Sequence, residues 1–314
     1  MLLSCGDALI DFMPAKAADG RDAYIPAVGG SCLNVAVAMA RLGARAGLIG
    51  GVSTDMFGAM IAEHAEQSGV SLAYVQRSDA ETTLAFVRFV GGEPAYAFYD
   101  ESTATRLWTY RPGSIPFDAV DAIHVGSTSL INDPVSSETL AMVADARACT
   151  TISFDPNCRP NLVRDKAAYG RRVEAFVEQA DIVRMSDVDF DFLHGGDDYT
   201  AFAETVLARG ACVVVVTRGP KGVQAWCEDG MVEVVPPPVT VADTIGAGDT
   251  FQGGFLVALA EAGLMTREAL AGITRDSLRE AVTFGTTCAG ITCSRPGADP
   301  PYRAELDAGA GGGD

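Results

Sequence analysis

The sequence predicts an α/β fold: a doubly wound, mainly parallel central sheet flanked by helices, with a small β-sheet standing off it as a lid. Three observations carry this. Short apolar runs of strand length alternate with stretches of helical periodicity, the pattern that builds parallel sheets by crossover. One stretch, residues 83–100, leaves that rhythm for two β-rich runs about a glycine pair. Polar or glycine-rich clusters recur just where the strands are predicted to end, which in open α/β sheets is where ligands bind.

Taken in order, residues 2–5 form the first apolar run, and residues 35–42 read as a helix that stops at Gly43. A strand follows at 46–49. Residues 83–90 and 95–100 flank Gly91-Gly92-Glu93-Pro94 and predict a hairpin. Such a hairpin cannot bury both of its faces alone, so it is expected to project as a lid, joined by the chain between Asp11 and Gly29; the alternative is an edge extension of the main sheet. Further strands are expected at 122–125, 151–154, 182–185 and 212–217, separated by helices near 136–148, 167–180 and 199–209. Crossovers between them should be right-handed. A second hairpin, 222–226 with 231–235, is halted by Pro236-Pro237-Pro238. The last helices are expected at 249–262 and 276–291. One α/β domain over 1–302 results, with lid segments spanning about 12–30 and 84–106 and a disordered tail over 303–314 that ends in Gly-Ala-Gly-Gly-Gly-Asp.

Composition narrows the function classes. At 314 residues with 48% hydrophobic content the chain can bury a large core. A formal charge of −18 argues against nucleic acid as a partner, because neutralising phosphates needs clustered Lys and Arg. Small ligands remain. The eight cysteines are scattered without a C-x-x-C pair, and several sit in apolar runs such as Cys212-Val213-Val214-Val215-Val216. They read as reduced core residues of a cytoplasmic protein. Leu2-Leu3-Ser4-Cys5 mimics a lipoprotein cleavage site but has no basic leader or long apolar segment before it, and no run reaches membrane-spanning length, so no membrane partner is expected. His64, His124 and His194 are too far apart to suggest a His/Cys metal site; each is expected on the surface or packed.

The chemistry concentrates in Asp243-Thr244-Ile245-Gly246-Ala247-Gly248-Asp249-Thr250-Phe251, a small-residue turn leading into the apolar run 254–259. Free of Cβ substituents at Gly246 and Gly248, the backbone amides about Ala247 can turn inward together, and the helix that follows adds unsatisfied N–H groups and its positive end. Charge building on a migrating phosphoryl group would be stabilised there. Asp249, at the mouth of that hole, is placed to take a proton from an attacking alcohol. An ordinary tight turn with an Asp cap is the plainer reading of Asp249 alone. The string lacks the Lys-Ser/Thr of a Walker A loop and is no dinucleotide fingerprint. Gly29-Gly30-Ser31-Cys32-Leu33-Asn34 opens another apolar helix; its glycines admit close approach by a ligand, and Asn34 offers both donor and acceptor to a hydroxyl. Clusters at 7–11, 155–159, 186–189 and 217–222 follow predicted strands and should converge on one cleft.

The 243–251 string closely resembles the signature of the ribokinase-like carbohydrate kinases, the phosphofructokinase-B group, and the Gly29 to Asn34 block is similar to that family's other hallmark. The resemblance runs from Gly6 to about Pro300 and is nearest to bacterial fructokinases. It implies ATP-dependent phosphorylation of a sugar hydroxyl, with D-fructose favoured, 2-keto-3-deoxygluconate kinase and ribokinase as enzymatic alternatives, and a non-catalytic sugar-binding regulator as the alternative of another class. Asp11, Gly29, Gly30 and Asn34 would hold sugar hydroxyls. Arg159 would orient the sugar, since its Pro-Asn-x-Arg turn resembles a segment of fructokinases and ketodeoxygluconate kinases, and Phe98 and Arg106 would close over the ring. Thr217, Gly219 and Gly222 match a T-x-G-x-x-G pattern that lies against ATP phosphates, with Ser186 and Thr244 on the same side. Ser186 and Asp189 stand where the family usually has Asn-x-x-Glu, a departure that leaves Asp189 to support Mg2+ through water. The resemblance leaves open a K+ site near Asp243 and a homodimer formed through the lid.

Overall fold

Val213, Val214, Val215 and Val216 are each completely buried, which is what a strand covered on both faces requires. The computed structural model describes residues 1–90 and 93–310; Gly91 and Gly92, the predicted hairpin turn, lie outside the described residues. In chain order the strands are β1 Leu2–Cys5, β2 Leu9–Lys16, β3 Asp22–Gly29, β4 Ala46–Ser53, β5 Ser71–Ser78, β6 Leu84–Val90, β7 Glu93–Tyr99, β8 Ala122–Gly126, β9 Thr151–Asp155, β10 Ile182–Ser186, β11 Val213–Thr217, β12 Val223–Cys227 and β13 Gly230–Val234. The helices are α1 Ser31–Arg41, α2 Met56–Gln67, α3 Val135–Ala146, α4 Lys166–Val177, α5 Asp187–Leu193, α6 Tyr199–Ala208, α7 Ala247–Glu261, α8 Arg267–Ala271, α9 Arg275–Cys293 and α10 Arg303–Ala310.

Nine strands form the main sheet in the order β13-β12-β11-β10-β9-β8-β1-β4-β5. All neighbours from β11 to β5 are parallel, and β12 runs antiparallel to both β11 and β13. Strand alternation sends successive side chains to opposite faces. Val214 and Val216 therefore join a core with Ile123, Phe154 and Phe176 under α3, α4 and α6, whereas Val213 and Val215 join one with Met39, Phe255 and Leu278 under α1, α7 and α9. Phe154 and Phe176 stack at 5.6 Å, each contributing about 1.5–3 kcal/mol by leaving water. Strand order reverses at β1, between β4 and β8, which makes the carboxyl ends of β1, β8 and β9 the natural crevice.

The hairpin is not an edge extension of the main sheet: β6 and β7 belong to a separate four-stranded sheet ordered β3-β2-β6-β7, completed by the chain that follows β1. Phe12 and Phe86 stack at 4.6 Å, and Tyr24 and Tyr99 meet Phe86 edge-on. Tyr24, Ile25 and Tyr99 remain exposed on it.

Several expectations need correction. The helix predicted from 35 begins at Ser31, because Gly30, at φ 107°, is where the backbone turns into it, and the polar first turn hides its start from an apolar pattern. For the same reason α7 starts at Ala247 and not at 249. The α2 and β5 pair was not anticipated: β5 is a half-exposed edge strand carrying Gln76 and Arg77, so its run is not apolar. The tail predicted as frayed from Arg303 is instead helical to Ala310, since Arg303 donates to both oxygens of Glu261, lies over the Phe284 ring, and Leu306 packs on the core. His124 is packed, bonded to Ser153 at 3.1 Å, with burial pushing its imidazole down to about 3. All eight cysteines are free thiols. Among the described residues no helix is long and apolar enough to cross a membrane.

Candidate active site

Gly246 takes the left-handed conformation (φ 74°, ψ 0°) at the N-cap of α7, and a Cβ there would meet Ala298 Cβ at 2.6 Å. Only glycine fits both constraints. The turn is pinned from outside by Asp243, whose carboxylate accepts from the amides of Thr244, Ile245 and Gly297. It thus delivers Ala247, Gly248 and Asp249 to the first turn of the helix, where amides lack intrahelical acceptors.

Asp249 is 8% exposed. Its Oδ1 accepts from Ser31 Oγ at 2.7 Å and Asn157 Nδ2 at 3.4 Å, and its Oδ2 accepts from Asn34 Nδ2 at 2.8 Å. Burial pushes the carboxyl above its ordinary range, and the Asn34 and Ser31 donors pull it back.

Two cavities meet at this residue. The larger, about 970 Å³, is lined by Ser186, Asp189, Thr217, Gly219, Gly222, Thr244, Ala247 and Gly248, so every residue predicted on the nucleotide side faces one space. The smaller, about 620 Å³, is lined by Asp11, Gly30, Asn34, Phe98 and Arg159. Gly246 and Asp249 line both, together with Cys158 and Arg159. Gly29 stands behind Asp11; a Cβ on it would fall 2.2 Å from Asp11 Oδ2, so glycine is what lets that carboxylate settle there. Burial first, then the nearby Asp7, push the Asp11 carboxyl up to about 6.

Arg106 does not reach the smaller cavity. It donates to Asp100 at 2.8 Å and to the Asp133 carbonyl at 2.9 Å, and lines a third cavity of about 700 Å³ that abuts the sugar-side one at Phe98. Arg159 lines the predicted cavity, but its Nη1 is turned back onto its own turn, donating to Asn157 O, Asn157 Oδ1 and Cys158 O. Asp189 accepts from Cys158 N at 2.7 Å, Ser186 N at 3.1 Å and Ser186 Oγ at 2.6 Å, closing a capping box at the start of α5. Three donors leave a carboxylate with about four lone-pair sites room for one further donor. That room is on Oδ1, where a water of a hydrated cation fits.

Sequence reading missed four residues. Asp7 ties the end of β1 to Cys32 N, Ser127 Oγ and Thr128 Oγ1. Ser31 and Asn157 grip Asp249. Arg184 is 4% exposed, ion-paired with Asp155, bonded to Thr217 Oγ1 at 2.7 Å, and its Nη2 lies 3.0 Å from where a Gly248 Cβ would be. A charge inside the otherwise apolar Ile182-Val183-Arg184-Met185 was the available signal, since an unpaired core arginine is prohibitively costly.

A model of the pfkB family carbohydrate kinases matches residues 3–305. The chain is 37% identical over 279 residues to a fructokinase of Rhizobium leguminosarum bv. trifolii, covering 89% of this chain and 86% of that one. The structure of fructokinase from Xylella fastidiosa with bound ATP matches with a TM-score of 0.87 at 27% identity, over 98% of this chain and 97% of that one. A fructokinase double mutant from Vibrio cholerae O395, solved with fructose, ADP and potassium, matches with a TM-score of 0.83 at 26% identity, over 98% and 97%. A family match that takes in β1, the lid, both glycine turns and the whole main sheet leaves no part of the catalytic body unaccounted for, and the chain belongs to the pfkB family of carbohydrate kinases.

Proposed function

We propose that the protein transfers the γ-phosphoryl group of ATP to the 6-hydroxyl of D-fructose. The observation that carries this reading is the wall shared by the two cavities: Asp249 and Gly246 border both, so an alcohol on one side and a triphosphate on the other would meet at the carboxylate and the helix N-terminus. Asp249 accepts the hydroxyl proton as the sugar oxygen bonds to the γ-phosphorus, and the bond from phosphorus to the β-bridging oxygen breaks to release ADP. The amides after Gly246 and the positive end of α7 stabilise the charge on the group in flight. Asp11, Gly30, Asn34 and Arg159 hold the other hydroxyls; Thr217, Gly219, Gly222, Ser186 and Thr244 hold the nucleotide. Mg2+ arriving with ATP would neutralise the phosphates, with Asp189 holding one of its waters. K+ near the Asp243 turn is supported by the potassium in the Vibrio cholerae fructokinase structure. The exposed Tyr24, Ile25 and Tyr99 on the lid support a homodimer through that sheet, and eight free thiols support a reducing, cytoplasmic setting.

Fructose is favoured over a sugar acid because Arg106 is engaged by Asp100 and Asp133, away from the sugar-side cavity. In a coupled assay of ADP release over fructose, ribose, tagatose, 2-keto-3-deoxygluconate and aminoimidazole riboside, fructose should give the largest kcat/KM. A sugar acid ahead by a wide margin would overturn fructose and leave the kinase standing. No ADP release with any sugar would instead favour a binding regulator.

Phe98 brings the lid to the sugar-side cavity, so the lid should close over the bound sugar and exclude water. Hydrogen exchange over 84–100 should slow when fructose is added. Equal exchange in both states would make this segment a static wall.

A further inference from the structure

We propose that Ser31 and Asn157 are positioning residues for the base, a pair of donors that aims Asp249 and keeps it ionised. This rests on the reading of Asp249 as the base. The hydrogen bonds form a directed chain. Asn157 Nδ2 donates to Ser31 Oγ at 2.7 Å, and the Ser31 hydroxyl proton goes to Asp249 Oδ1 at 2.7 Å. Asn157 Nδ2 also reaches Oδ1 itself at 3.4 Å. The amide cannot flip without loss, because Arg159 donates to Asn157 Oδ1 and so leaves the NH2 group facing Ser31. The backbone is committed to the same end: Asn157 sits at φ 35°, in the left-handed region that Asn tolerates better than most residues, with its N–H held by Asp155 Oδ1 at 3.1 Å. Asp155 is in turn paired with the buried Arg184. One oxygen of the base is thus clamped from the first turn of α1 and from the end of β9, which leaves Oδ2, with Asn34 as its donor, to receive the alcohol proton.

Charge alone does not decide the state of this carboxyl. Arg159 and Arg184 act on it from one side, and Asp7 and Asp11 oppose them. The cations favour the ionised form and the carboxylates oppose it. Desolvation then favours the neutral acid, and the donors are what hold the charged form.

Removing a donor to the ionised carboxylate raises its pKa, so the acid limb of the rate profile moves to higher pH. Single-turnover ADP formation, with saturating fructose and MgATP, is followed from roughly pH 5 to 9. Ser31→Ala should move the acid limb up by about one pH unit, a rate loss of about ten-fold on the limb and a smaller loss on the plateau. Asn157→Gly, which keeps the left-handed backbone and deletes the amide, should move it the same way by less. If Ser31→Ala does not fold, as judged by its thermal unfolding, Asn157→Gly decides alone. Acid limbs coincident with wild type in the folded variants overturn the proposal. Asp249→Asn separates the two readings: a large rate loss in it alongside unmoved limbs defeats only the positioning role, whereas near wild-type turnover in it defeats the base.

Discussion

Asp249→Asn should lower kcat by about two to four powers of ten, the usual contribution of a positioned general base. The amide keeps the size of the side chain and can still accept at Oδ1 from Ser31 and Asn157. It cannot take a proton from the attacking hydroxyl. Affinity for ATP and fructose should change far less, since the nucleotide cavity is lined mainly by other residues. Steady-state kinetics with both substrates varied checks this. Asp11→Ala should behave in the opposite way, raising the KM for fructose with a smaller effect on kcat, because its carboxylate would accept from hydroxyls that do not react. An Asp249→Asn variant that folds and turns over near the wild-type rate would reduce the glycine turn to a helix cap.

Arg184→Met should destabilise the fold by about 3–5 kcal/mol, the range found when one partner of a buried pair is removed. The side chains of Arg184 and Asp155 are only 5% and 3% exposed, and Arg184 also fastens Thr217 at the end of β11. Removing the guanidinium takes the counter-ion from a carboxyl that burial already pushes up to about 6, so Asp155 must stay buried as an unpaired charge or take up a proton. The double variant with Asp155→Asn should recover most of the loss, because replacing both charges removes the desolvation cost as well as the attraction. Denaturant unfolding of the single and double variants makes the comparison. A loss below about 1 kcal/mol in the single variant would show that water reaches the pair and screens it.

Features held by neighbouring residues could be read directly. The strands β8 to β11 announce themselves because burial on both faces demands continuous apolar runs, and Gly246 announces the turn because few other residues can adopt its left-handed backbone. The hairpin of β6 and β7 was legible for the same reason. Its union with the chain between Asp11 and Gly29 was expected too; that β2 is the strand beside β6, about seventy positions away, belongs to the tertiary fold. The last helix shows the limit from the other side: Arg303-Ala304-Glu305-Leu306 are good helix formers, but eight residues are too few to hold a helix alone, and docking on Glu261 and Phe284 secures it. Arg106 stands outside the sugar-side cavity because nearness to Phe98 in sequence says nothing about which acceptor wins, and Asp100 with the Asp133 carbonyl won.

The sequence by itself determined the fold class and the family, and it singled out Asp249 and the glycine turn before it, because strand burial and the left-handed Gly246 leave their mark within a few residues. Only the tertiary structure brought Ser31, Asn34 and Asn157 onto Asp249, across separations of 218, 215 and 92 positions. Hydrogen-bond partners chosen over such distances depend on strand order and on which ends share an edge of the sheet. No local pattern records that order, so the carboxylate was visible in the sequence and the donors that meet it were not.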